Sequence, residues 1–212
     1  MIEKELSKEN YMNRNVAILL CAFIFLIAGC GGETVEQSEL ATRNGVWYEV
    51  NSNTPYTGRA TKTYKLGQKM NEGTYKDGEP DGKWTGWHEN GQLSQTFYYK
   101  TGKRDGKWTE WFENGQMKSK AIYKNGTEDG KWTEWYENGL KQFEGTWKHG
   151  KKEGKWTRWY ENGKKKLEGT FKNGELSGGT RWDETGQKVS AKTWMDGGGF
   201  TSTEWDDNEQ EK

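Results

Sequence analysis

A glycine returns every 24 residues, at Gly58, Gly82, Gly106, Gly130, Gly154 and Gly178. Two further series keep the same spacing: Gly67, Gly91, Gly115, Gly139, Gly163, and Gly78, Gly102, Gly126, Gly150, Gly174. Six glycines in one register mark a tandem array. In such an array each unit buries its apolar side chains against its neighbours rather than in a core of its own. The composition agrees. Residues 30–212 hold only 16 Leu, Ile, Val and Phe, yet the chain carries 13 Trp and 10 Tyr. So few aliphatics exclude an ordinary enzyme core, and so many aromatics exclude a simple disordered chain.

Within the period the phrase G-K-W-T-x-W-aromatic-E-N-G runs from Gly82 to Gly91 and recurs from Gly106, Gly130 and Gly154. A second phrase, E-G-T-aromatic-K-x-G, covers Glu72 to Gly78, Glu144 to Gly150 and Glu168 to Gly174. Lys83 to His88 is dense in Trp and Thr, which suit a pleated surface. Asn90-Gly91 signals a hairpin turn, because both residues tolerate positive φ. Leu93 to Lys100 reads as the return strand, and Pro55 and Pro80 read as turn residues. The pattern predicts an all-β, elongated antiparallel β-hairpin repeat, a continuous meander. Residues 58–198 make six repeats. One residue is lost in the last copy, so that Trp182 and Gly186 come early. Ala60, Thr63, Gly179 and Asp183 replace aromatics in the terminal copies, as end repeats require. Residues 44–57, with Trp47 and Tyr48, are expected to form an N-terminal cap, and residues 199–212 a frayed acidic tail.

The segment Glu144 to Trp156 (E-G-T-W-K-H-G-K-K-E-G-K-W) resembles a MORN repeat. The longer period and the G-K-W-T-x-W-Y-E-N-G phrase are similar to the bacterial MORN variant, over about residues 45–198. That resemblance implies an all-β stack of hairpins and no particular biochemical activity. It also implies an antitoxin or immunity role, since members of that family often carry the label antitoxin component.

The N-terminus reads as a targeting signal. Val16 to Gly29 is an apolar run shorter than the roughly 20 residues a membrane span needs, and it has the length of a signal-peptide core. It ends in Ile27-Ala28-Gly29-Cys30, which resembles a bacterial lipobox. Residues 1–29 are therefore expected to be a lipoprotein signal peptide. Cys30 would be the lipidated first residue, and residues 30–43 the lipidated Cys with a polar tether. The charges of residues 1–15 cancel, so Met12, followed by Arg14, is the expected start. Cys21 leaves with the signal, and no disulfide is then available. Gly31 after the cysteine, in place of Asp, points to the outer membrane where there is one, and otherwise to the cell membrane.

The candidate ligand-binding residues are the Trp pairs Trp84/Trp87, Trp108/Trp111, Trp132/Trp135 and Trp156/Trp159. Residues three apart on a strand face opposite sides, so one Trp of each pair can pack and the other lie open. Two readings stand side by side: all of them build the core, or they form an aromatic ladder for sugar rings, cationic head groups or a protein. Lys83, Lys107, Lys131 and Lys155 alternate with Glu89, Glu113, Glu137 and Glu161, and cross-strand pairing is expected to join them. His88 and His149 have no companion at metal spacing. With 32 Lys+Arg against 32 Asp+Glu, nothing favours nucleic acid. No nucleophile, base and orienting group stand out from the repeat. The expectation is a non-enzymatic, lipid-anchored module of the cell envelope, without cofactor or metal, that binds a protein partner. Cell-wall glycan binding through the Trp rows is the alternative.

Overall fold

The computed structural model describes residues 34–195 and 199–204. The calls on the signal peptide, on Met12, on Cys30 and on residues 205–212 lie outside the described residues. The described part is all-β apart from one 3-10 turn, Gln37–Glu39. Sixteen strands share one sheet, whose main path runs in chain order and is antiparallel from Gly58–Thr63 onward.

Each repeat gives two strands because its sequence alternates in one register and turns in another. In one repeat Gly130–Trp135 pairs with Lys141–Lys148, setting Trp132 opposite Gly145 and Thr133 opposite Glu144. Lys141–Lys148 then pairs with Lys151–Trp159, setting Phe143 opposite Arg158. Directly opposed residues share a face, and neighbours along a strand alternate. Trp132 and Glu134 therefore lie on one face, and Lys131, Thr133 and Trp135 on the other.

The two turns of a repeat differ, which the sequence reading did not anticipate. At Asn90-Gly91 only the glycine has positive φ, 82°. The asparagine works through its side chain instead. Its Oδ1 accepts the Gln92 N–H at 2.9 Å, and its Nδ2 donates to the Glu113 carbonyl, also 2.9 Å, one repeat on. Asn138 and Asn162 repeat both bonds. The mirror-image turn with two positive φ values belongs to the other edge, at pairs such as Asn125-Gly126 (51° and 90°). There the Gly126 N–H donates to the Arg104 carbonyl and the Asn125 N–H to the Asp105 carboxylate. Both edges are thus laced from repeat to repeat.

Three further expectations are corrected. Residues 34–43 do not hang free as a tether. Thr34–Glu36 adds a parallel strand beside Gly58–Thr63, and Leu40–Arg43 forms a hairpin with Val46–Glu49. The cause is Ala60, which stands where later repeats carry Trp. Leu40 and Ala60 are both buried in one cluster with Tyr56, Tyr75 and Trp84, against which Val35 and Trp47 pack. Gly199–Glu204, expected to fray, pairs with Lys188–Met195. Pro80 lies inside the strand Glu79–Trp87, opposite Tyr75, and its carbonyl accepts the Gly102 N–H. It tolerates a strand because it stands second from the strand's start, next to the turn.

Candidate binding faces

The first Trp of each pair builds the packed face. Trp84, Trp108, Trp132 and Trp156 alternate there with Tyr75, Tyr99, Tyr123, Trp147 and Phe171, which share the column of the second phrase's aromatic. Ring centroids are 5.1 Å apart for Tyr75–Trp84, 5.7 Å for Trp108–Tyr123, 6.2 Å for Trp132–Trp147 and 5.6 Å for Trp156–Phe171. This ladder replaces the missing aliphatics. Burial pushes the Tyr75 hydroxyl up to about 12.

Glycine decides how deeply each indole sits. A Cβ on Gly73 would lie 2.0 Å from Trp84, and one on Gly145 2.5 Å from Trp156. With no Cβ in the way, these two indoles lie against the backbone and donate Nε1–H to the Thr74 and Thr146 carbonyls, both at 3.2 Å. Both are buried, at 6% and 3% exposure. Where the glycine column holds Ala121, the next indole, Trp132, is half-buried and donates to Glu134 instead. In the last copy Gly179 occupies the Trp place, and a Cβ there would meet the Glu168 carbonyl at 2.8 Å. The residue lost from that copy sets Gly179 directly opposite Gly169, where the preceding repeat has a bulge opposite Gly145.

The second Trp of each pair lies on the opposite face. Trp87, Trp111, Trp135 and Trp159 are all half-buried. Lys69 caps Trp87 and Lys141 caps Trp159, each ammonium 5.7 Å from the ring centroid. Lys141 also reaches Glu144 at 2.7 Å, and Lys131 reaches the same carboxylate at 3.1 Å. Lys165, Glu168 and Lys155 repeat the cluster at 2.7 and 2.9 Å. The hydrogen bond from Lys141 and its companions holds the Glu144 carboxyl below its usual range. Of the lysine row, Lys131 and Lys155 therefore pair with Glu144 and Glu168. Glu89, Glu113, Glu137 and Glu161, the expected partners, are exposed turn residues with no ion pair among the described residues.

This grammar breaks in the middle of the face. The triads Lys69/Glu72/Thr74, Lys141/Glu144/Thr146 and Lys165/Glu168/Thr170 occupy matching positions. Between them stand Leu93/Thr96/Tyr98 and Met117/Lys120/Ile122. Leu93 and Tyr98 are 40% exposed, Met117 37% and Ile122 39%. Sequence reasoning missed this patch, although its signal was present: three columns change together in two consecutive copies.

His88 fills the place of Tyr136 and Tyr160 and meets the Trp111 carbonyl at 3.0 Å through Nε2. Among the described residues no group of three or more His, Cys, Asp or Glu could hold a metal ion. Residues 80–101, 104–125, 128–149 and 152–173 each match the family model of the MORN repeat variant. No curated protein matches the chain.

Proposed function

We propose, from the four segments similar to the MORN repeat variant and from the two faces they build, that this protein is a non-enzymatic binding module. In this reading it is lipid-anchored through Cys30 at the bacterial cell envelope. Its function is to present the face of the second Trp row to a protein partner. The observation that carries the reading is the interrupted triad, which leaves Leu93, Tyr98, Met117 and Ile122 in water on two adjoining repeats. In the flanking repeats the same three columns hold Lys, Glu and Thr, and a cluster of apolar residues in their place favours something that covers it. The aromatic ladder is less suited to sugar stacking, because its deepest indoles, Trp84 and Trp156, are buried by their own neighbours.

The test is affinity capture from solubilised envelope of the native organism, with Trp87→Ala/Trp111→Ala as the comparison. A protein enriched on wild type and lost on the variant supports the reading. If no protein is enriched and wall glycan quenches the Trp fluorescence instead, the module binds carbohydrate.

A further inference from the structure

The interrupted triads change charge as well as polarity. Glu72, Glu144 and Glu168 each hold one or two lysines on this face. The matching positions in the two middle repeats are Thr96 and Lys120, so the carboxylate is absent twice and a cation is added once. Lys83, Lys107 and Lys120 consequently form no ion pair among the described residues. The acids nearest to Lys83 and Lys107 in sequence are committed elsewhere. Asp81 and Asp105 accept the turn N–H groups of Thr101 and Asn125 at 3.1 Å.

Register places these cations among the apolar side chains. Lys83 lies opposite Tyr98, and Lys107 opposite Ile122. Lys83 and Tyr98 thus face each other on one strand pair and Lys107 and Ile122 on the next, with the bulge around Gly106 between the two pairs, where the Asp105 N–H donates to the Tyr98 carbonyl. At the other end of the same strands, Trp87 is paired with Leu93 and Trp111 with Met117. Thr85, Thr96 and Thr109 fill the space between the two rows, with Lys120 at its edge.

We propose that this patch docks a protein segment in which carboxylates are interleaved with aliphatic or aromatic side chains. The inference rests on the protein-binding reading above and names the partner's chemistry. Three ammonium groups without an ion pair among the described residues, beside exposed Tyr98 and Ile122, select against basic partners, because charge complementarity sets specificity and encounter. Leu93, Met117 and Trp111 supply apolar contact at the other end of the patch. A protein segment fits better than an anionic bilayer. The cations are few, and the carboxylates of Asp81 and Asp105 lie along the same edge.

The experiment restores the flanking grammar. Leu93→Lys, Thr96→Glu, Tyr98→Thr, Met117→Lys, Lys120→Glu and Ile122→Thr are combined in the full-length protein, solubilised in mild detergent. Every new residue already occurs in the same column of the folded repeats on either side, and circular dichroism checks that the sheet persists. A milder variant, Lys107→Glu/Lys120→Glu, keeps the apolar side chains. The probes are a soluble peptide alternating Glu and Leu, its Lys–Leu counterpart, and vesicles of anionic phospholipid. Expected is binding of the Glu–Leu peptide that weakens with salt and falls at least roughly tenfold in both variants. Equal binding by wild type and variants, or preference for the Lys–Leu peptide, overturns the proposal. Vesicle binding that is lost in the variants, without peptide binding, also overturns it and assigns the patch to a membrane. If envelope capture succeeds but the variants capture equally well, the protein-binding reading survives and this location fails. If capture fails while the Glu–Leu peptide still distinguishes wild type from variants, the patch chemistry stands and the envelope assignment falls.

Discussion

Gly145→Ala isolates the device that seats the indoles. The glycine has no positive φ, so alanine brings no backbone strain, only a methyl group 2.5 Å from Trp156. The ring must leave. Overpacking of this kind costs about 1–3 kcal/mol. Losing the bond from Trp156 Nε1 to the Thr146 carbonyl adds about 0.5–1.5 kcal/mol. A destabilisation of about 2–4 kcal/mol follows, equivalent to a Tm lower by roughly 4–16 °C for a chain of this size. Urea denaturation and Trp emission measure it, and the emission maximum should move to the red as the Trp156 ring meets water. Ala121→Gly is the control. There Trp132 has already settled against Glu134, so the change costs the glycine backbone penalty, about 0.5–1 kcal/mol, and the buried Ala121 methyl, about 0.8 kcal/mol, with no shift of the Trp emission to the red. Gly145→Ala within about 0.5 kcal/mol of wild type, an ordinary surface effect, would refute the claim that the missing Cβ seats the indole.

Three other outcomes are expected. Tyr75 titrates at about 12 when folded, above its ordinary 10.0, so its contribution is intact below pH 10 and is lost as pH rises toward 12. Tyr75→Phe should flatten that alkaline loss in pH-dependent denaturation, by on the order of 2 kcal/mol. Asn138→Ala removes the bonds to the Leu140 N–H and the Glu161 carbonyl. It should cost about 1–2 kcal/mol and speed exchange of the Leu140 amide, whose acceptor is lost, before the amides of other turns. His88→Tyr installs the hydroxyl that Tyr136 and Tyr160 use to reach the Trp159 and Trp182 carbonyls at 2.8 and 2.9 Å. Because His88 already meets the Trp111 carbonyl at 3.0 Å, stability should stay within about 0.5 kcal/mol of wild type, and a markedly lower urea midpoint would count against the equivalence of these places.

The fold was legible because the period is. Leu93–Lys100 emerged with the bounds read from its sequence, and Gly179 and Asp183 were recognised as replacing aromatics. What escaped depends on contacts between copies. Asn90-Gly91 satisfies a turn rule that does not say which of its residues will take positive φ, and here a side-chain bond decided. Residues 34–43 have no strand period, yet Leu40 and Val35 are enough once Ala60 leaves the ladder's end uncovered. The lysines were assigned to the wrong carboxylates because Glu137 and Glu144 look alike in composition. Only strand register places Glu144 opposite Thr133 and Thr157, within reach of Lys131 and Lys141. The split of each Trp pair between two faces followed from alternation alone, while the exposed patch needed the columns to be compared side by side.

The lacing of both edges at a 24-residue interval makes the sheet a ruler. Each turn is held by the turns one unit away, through bonds such as Asn138 to Glu161 and Gly126 to Arg104. Inserting or deleting a whole unit leaves those bonds available. A whole step adds two strands or about 10 Å, and the terminal copy, one residue short, keeps the bonds from Asn162 to Glu184 and from Tyr160 to Trp182. Units gained before Leu93 would carry the patch farther from the N-terminal cap by that step without altering its chemistry. Units gained after Ile122 would leave its position unchanged.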